Sequence, residues 1–134
     1  MPKMPKRHWK DEPDEHDYPA AGEYLSLVLA PDVVAAVIDD LRGRGIETRK
    51  AKDLLRSSEL ALLPRDNPHV AGDLAKVAGG RKLSPVLLVR GDVLAGRPLT
   101  VADGYHRICA SYHLDENEDI PCRIVDLPPS TALG

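Results

Sequence analysis

The chain contains no phenylalanine, and aromatic residues make up only 4% of its 134 residues. Its core must therefore be built from leucine, valine, isoleucine and alanine, and few rings are available to stack on single-stranded nucleic acid. Cysteine is also scarce: Cys109 and Cys122 are the only two, and their spacing fits no zinc motif. We expect both thiols to be small buried apolar groups.

Long apolar runs are missing as well. No stretch approaches the roughly 20 residues of a membrane-spanning helix, and no apolar segment follows the basic residues Lys3, Lys6 and Arg7 as it would in a secretory signal. Nor is there an excess of positive charge, since the net charge is −3. Broad binding to nucleic acid needs such an excess, so this function is not favoured, although a local basic patch stays open. We expect a cytoplasmic protein with no membrane partner.

The composition is otherwise that of a folded domain, with 43% hydrophobic and 29% charged residues. Residues 1–22 differ, because prolines are mixed there with charges of both signs, and we predict a disordered tail. Trp9 is the one exception in it, since this side chain could dock on the body or on a partner. Residues 23–29 read as a strand. Pro31 then opens a helix that ends at Gly43, and a short helix is predicted for residues 50–57.

After residue 60 the pattern predicts helix, strand, strand, helix and strand. The helices are expected at residues 70–77 and 105–114, and the strands at residues 85–89, 99–102 and 121–125. Short strands mixed with helices indicate an α+β (mixed α/β) class. We predict a tail at residues 1–22, a strand–helix extension at 23–59, a domain at 60–127 and a C-terminal tail at 128–134.

The most informative stretch is the passage from a buried strand into a helix at residues 99–112. Gly104 permits a sharp turn, and the first N–H groups of the helix lack partners and carry partial positive charge, which favours an anion. Arg107 can hold a phosphate through two hydrogen bonds, and His106 can donate a third. The alternative is that Asp103 merely caps the helix while Arg107 points to solvent. The coincidence of the glycine, the His–Arg pair and the apolar strand favours a phosphate-binding turn.

The motif DGYHR at residues 103–107, followed by Ala110, resembles the Gly-x-x-Arg turn of the ParB/sulfiredoxin superfamily. Three other segments resemble that superfamily in the same order: the Asn-Pro pair at residues 67–68, the strand at 83–89 and the closing strand at 120–125. The resemblance covers residues 60–127. It implies a ParB/sulfiredoxin-like domain with a short mixed sheet flanked by helices, and a nucleotide pocket at the turn.

The resemblance also implies a ligand, namely ATP, ADP or CTP together with magnesium. No dedicated metal site is expected, but Asp103 could hold a magnesium ion beside the phosphates. The implied nucleotide- and phosphate-binding residues are Asp103, Gly104, Tyr105, His106, Arg107, Asn67, His69 and Lys76.

Whether the chain is an enzyme is left open by the sequence. Sulfiredoxins carry their catalytic cysteine immediately before the His–Arg pair, and Tyr105 stands at that position, so sulfiredoxin activity is not expected. The turn is most similar to that of the free-serine kinases of the superfamily, which implies an ATP- or ADP-dependent phosphotransferase that acts on a small molecule. Its candidate catalytic carboxylates are Asp103 and Asp73, with Asp66 and Glu59 as alternates.

The other interpretation is a non-enzymatic ParB-like module that docks a protein or nucleic-acid partner. In that case the turn binds a phosphate but catalyses no reaction. Homodimerisation through residues 24–41 is a further expectation, and the sequence does not identify a substrate.

Overall fold

The computed structural model of the protein describes residues 8–128. They form five α-helices and a four-stranded mixed sheet that does not close into a barrel. The expected α+β class is confirmed. The helices are α1 (Asp17–Leu25), α2 (Pro31–Gly43), α3 (Ala51–Ser58), α4 (Pro68–Ala78) and α5 (Tyr105–Leu114), and the strands are β1 (Glu47–Lys50), β2 (Val86–Val89), β3 (Thr100–Asp103) and β4 (Asp119–Val125).

The strands lie in the order β1-β4-β2-β3. β2 and β4 run parallel, with Val86 opposite Cys122, whereas β1 pairs with β4 and β3 pairs with β2 in antiparallel fashion. β2 is buried throughout, as expected of a continuous apolar strand at the centre of a sheet covered on both faces. β1 is exposed throughout, and its charged side chains protect this edge from pairing with other chains.

The sheet has a core on each face, and β2 contributes to both because its side chains alternate. Val86 and Leu88 pack with residues of α3, α4 and α5, whereas Leu87 and Val89 pack with residues of α1 and α2. Cys109 and Cys122 are free and buried, as predicted. Burial raises the pKa of the Cys122 thiol to about 12, so this side chain acts as an apolar group.

The disordered tail predicted for residues 1–22 is wrong for residues 8–22. Trp9 is only 1% exposed. Its backbone pairs with Leu83, and its indole N–H donates to Glu118 at 3.3 Å. Composition alone could not show that this segment is ordered, because it is anchored by one large aromatic ring and a backbone bridge and not by a run of apolar residues. Residues 1–7 lie outside the described residues, as do all residues of the predicted C-terminal tail except Pro128.

The strand predicted for residues 23–29 is also wrong. Residues 23–25 complete α1, and turns follow them. The apolar residues Tyr18, Ala21 and Leu25 are buried at helical spacing. The helical pattern of apolar residues therefore begins before the predicted strand. β1 was not predicted, because it has no apolar residue. The remaining predicted helices and strands are confirmed, and each of their ends lies within two residues of its predicted position.

No helix among residues 8–128 is long and apolar enough to cross a membrane. The predicted domain boundary at residue 60 stays a prediction, although β1 before this boundary pairs with β4 after it.

A candidate anion-binding cleft at the start of α5

The predicted turn lies where β3 ends and α5 begins. Gly104 joins the two elements with a φ of 113°, a backbone conformation that favours glycine. No side chain caps α5. The N–H of Ile108 donates to the Gly104 carbonyl at 3.0 Å, so the N–H groups of the first helical turn ahead of it have no acceptor within the helix. This helix end therefore keeps the donors and the partial positive charge that attract an anion.

Asp103 and Arg107 fix this turn to the sheet. The Arg107 guanidinium donates to the Ser84 carbonyl at 2.7 Å, to the Ser84 hydroxyl and to the Asp103 carboxylate, and its side chain is only 13% exposed. The alternative in which Asp103 caps the helix and Arg107 points to solvent is therefore wrong. Arg107 also has fewer donors left for a phosphate than the sequence suggested, because the protein already occupies several of the five N–H groups.

Asp17 is a site residue that the sequence reasoning missed. It stands in the first turn of α1, is 4% exposed, and places a carboxylate oxygen 3.5 Å from Arg107. The Asp14 backbone N–H donates to the same carboxylate at 3.0 Å. The signal that could have found it is the helical spacing of the apolar residues that follow it in α1. Asp17 was overlooked because its segment was assigned to the tail.

The turn forms one wall of a cleft with a volume of about 570 Å³. We call it the α5 cleft. The other walls come from α4, from the segment before β2 and from the N-terminal segment. The structure brings together in it these residues predicted from the sequence: His69, Asp73, Lys76, Asp103, Gly104, His106 and Arg107.

The remaining predicted residues do not line this cleft. The Tyr105 hydroxyl donates to the Ala61 carbonyl. The Asn67 side chain caps α4 by accepting from the N–H groups of His69 and Val70, which is the ordinary role of asparagine at a helix start. The alternates Asp66 and Glu59 also lie outside the lining of the α5 cleft.

Burial shifts the pKa values of two side chains that face each other across the cleft. It raises the pKa of the Asp73 carboxyl, and the positive charges of Lys76 and Arg107 oppose this only in part. It lowers the pKa of His106, and the neighbouring His69, whose ring centroid lies 4.7 Å away, lowers it further. At neutral pH the cleft therefore holds an uncharged imidazole beside a carboxylate of increased basicity.

Asp103 also has a raised pKa. Burial is the main cause, the guanidinium of Arg107 opposes it, and the nearby Asp17 carboxylate adds to it. Because its carboxylate already accepts from Arg107, Asp103 is poorly placed to hold the predicted magnesium ion. The ligand atoms of Asp14, His16 and Asp17 lie within 4.8 Å of one another on the same cleft, but Lys10 pairs with Asp14 at 2.7 Å and Arg107 lies 3.5 Å from Asp17, so these carboxylates are occupied as well.

The lowered pKa of His106 predicts a pH dependence of stability. The folded state binds this proton less readily than the unfolded chain, whose histidine has the ordinary pKa of 6.5. The stability that neutral His106 contributes is therefore present above pH 6.5 and is lost as the pH falls below it. In urea unfolding between neutral and mildly acidic pH, we expect His106→Gln to lose less stability than the wild type. Equal losses of stability in His106→Gln and in the wild type would contradict the prediction.

Comparisons of the chain with family models, with curated proteins and with solved structures gave no significant match. The resemblance to the ParB/sulfiredoxin superfamily therefore stays a prediction.

Proposed function

We propose that the α5 cleft binds the phosphate groups of a nucleotide, as the resemblance to the ParB/sulfiredoxin superfamily implies. One observation carries the proposal: the uncapped start of α5 opens in the same cleft as His69, His106 and Lys76. Each of these groups can donate to a phosphate oxygen. A volume of about 570 Å³ is within the usual range for a small-molecule site.

Other cations support a ligand with more than one phosphate. Arg81 and Lys82 line the cleft and can match further negative charge, whereas Lys10 also lines it but pairs with Asp14 at 2.7 Å. A magnesium ion that accompanies the nucleotide can be held at the carboxylates of Asp14 and Asp17 only if it displaces Lys10 from Asp14, and such an ion would offset phosphate charge. In this proposal Arg107 supplies charge and holds the turn, and the backbone N–H groups of α5 make the closest phosphate contacts.

Because Asp73 can act as a general base, phosphoryl transfer is the reaction that we propose for the protein as an enzyme. Its side chain is 14% exposed in the cleft, and its raised pKa makes it a stronger proton acceptor than an ordinary aspartate. Asp73 would accept the proton of a substrate hydroxyl while that oxygen attacks the terminal phosphorus of ATP, and ADP would leave. Asp103 is the weaker catalytic candidate, because Arg107 already occupies its carboxylate.

The binding proposal is tested by calorimetric titration of ATP, ADP and CTP, each with magnesium, into the wild type and Lys76→Ala. Lys76 is half-exposed, so its removal should not disturb folding. We expect about a tenfold or greater loss of affinity, the usual size of a charged hydrogen bond. Lys52→Ala removes an exposed lysine that does not line this cleft, and it should bind like the wild type. No binding by the wild type, or equal binding by Lys76→Ala, would contradict the proposal.

The enzymatic form is tested by Asp73→Asn. With a panel of hydroxyl-bearing small molecules, we expect the rate of ADP formation to fall by about 10²-fold or more, because general-base catalysis is lost, while nucleotide affinity is kept. If Asp73→Asn and Asp103→Asn both leave nucleotide consumption unchanged, the protein is a nucleotide-binding module and not a phosphotransferase. The cytoplasmic location expected from the sequence stays a prediction.

A further inference from the structure

A second cleft, with a volume of about 600 Å³, lies at the other end of β2. The segment before β2 lines the α5 cleft, whereas Arg90 and Gly91, which follow β2, line this one. Its walls are α3 and the connection between β2 and β3, with the apolar side chains of Leu54, Leu99 and Ile124 among its lining. We call it the arginine cleft after four of its lining residues, Arg49, Arg56, Arg90 and Arg97.

Arg97 differs from the other three arginines. Arg49 pairs with Glu47, Arg56 with Asp53 and Arg90 with Asp126, all at 3.2 Å or less. The Nε of Arg97 is buried and has no hydrogen-bond partner among residues 8–128. A buried cationic donor without an acceptor is costly. The buried Nε is closed to a ligand, but Arg97 as a whole is half-buried and lines the cleft, and a carboxylate is the ligand group that suits a guanidinium best.

An apolar tip stands beside this arginine. Val93 and Leu94 are 93% and 98% exposed, the highest values among the large hydrophobic side chains of residues 8–128. They lie on a short 3₁₀ turn, Val93–Ala95, that Asp92 holds by accepting from the Leu94 N–H at 3.0 Å. Adjacent exposed apolar side chains on an ordered turn are typical of an interaction surface.

The turn is fixed at its base as well as at its tip. The backbones of Asp92 and Arg97 exchange two hydrogen bonds, at 2.7 and 2.9 Å. A Cβ at Gly91 would lie 2.5 Å from the Pro98 carbonyl carbon, so the two arms of the connection are in close contact. These contacts restrain the backbone that carries the tip, and such restraint lowers the entropy lost when a partner binds.

We infer that the arginine cleft and its apolar tip dock an acidic and apolar peptide segment of a partner protein. A small anion inside the cleft would satisfy Arg97 but would leave Val93 and Leu94 exposed. A nucleic acid fits poorly, because Asp53, Glu59 and Asp92 line the same cleft and the other arginines already pair with carboxylates. A peptide carboxylate on Arg97 with a neighbouring apolar side chain on the tip matches both features. This site is separate from the nucleotide site proposed above, so either proposal can be contradicted without affecting the other.

The test is fluorescence anisotropy with a labelled peptide of alternating glutamate and leucine residues. We expect the wild-type protein to bind it at micromolar concentration. Arg97→Gln should weaken binding about tenfold or more, as expected for a charged hydrogen bond, and Leu94→Ser should also weaken it. Arg65→Gln is the matched control, because Arg65 lines neither cleft, and it should bind like the wild type.

Peptides in which lysine replaces glutamate, or serine replaces leucine, should not bind. Leu94→Ser alters a side chain that makes almost no contact with the protein, so this variant keeps the test valid if Arg97→Gln fails to fold. Absence of wild-type binding, binding by Arg97→Gln and Leu94→Ser that equals that of the wild type, or a preference for single-stranded oligouridine over the acidic peptide would each overturn the inference.

Discussion

Replacing Gly104 with alanine is expected to destabilise the protein by about 2–6 kcal/mol, the combined cost of a non-glycine residue at positive φ and of an overpacked core. At a φ of 113° an alanine is strained whatever space surrounds it, and its Cβ would lie 2.4 Å from Cγ1 and 2.8 Å from Cβ of Val86. Val86 is fully buried and β-branched, so it cannot rotate away. The free energy of unfolding in urea measures the effect.

Two further variants separate the causes. In Gly104→Ala combined with Val86→Ala, the 2.4 Å contact with Cγ1 is removed while the 2.8 Å contact with Cβ remains, so the double variant should be less destabilised than the sum of the two single variants. Gly72→Ala is the matched control: Gly72 lies in α4, and a Cβ there meets nothing within 4 Å. It should be neutral or stabilising, by up to about 1 kcal/mol. A Gly104→Ala protein as stable as the wild type would show that β3 and α5 are not joined as described.

The second large effect is expected for Trp9→Ala, which should lower the free energy of unfolding by about 3–5 kcal/mol, the usual cost of removing a buried tryptophan. Trp9 is 1% exposed and also donates to Glu118. Because it is the only tryptophan of the chain, circular dichroism rather than fluorescence must follow the unfolding of the variant. Tyr24→Ala removes an aromatic ring that is 45% exposed, and it should cost far less.

The Trp9 result bears directly on the N-terminal segment. A loss below about 0.5 kcal/mol, the level of an ordinary surface substitution, would mean that the segment does not pack on the body, as the predicted tail implies. The predicted large loss would support the packing of Trp9 in the core shared with α3, α4 and α5.

The parts of the fold that sequence predicted correctly have a strong local signal. β2 is a continuous apolar run, and α5 follows a glycine whose freedom the turn requires. The missed elements lack such a signal. β1 reads Glu-Thr-Arg-Lys, and its strand conformation comes from pairing with β4, a contact far away in sequence. α1 packs through an apolar face, and the first residues of that face lie in a segment rich in charge and proline.

The candidate site shows the same division. His69, Asp73 and Lys76 are spaced at helical intervals, so their common face on α4 could be predicted once that helix was recognised. The partners of Arg107 could not be predicted, because Ser84 and Asp17 reach it only through tertiary packing. Asn67 was predicted as a ligand, yet its side chain has a complete local role as the cap of α4.

The central claim, that phosphates bind at the start of α5, is tested most directly by nuclear magnetic resonance of the ¹⁵N-labelled protein during titration with magnesium ATP. The account predicts large, saturable shifts of the backbone amides of Tyr105, His106 and Arg107, with the amides of Gly96 and Arg97 at the arginine cleft unchanged. Shifts confined to the arginine cleft, or none at all at millimolar nucleotide, would contradict it.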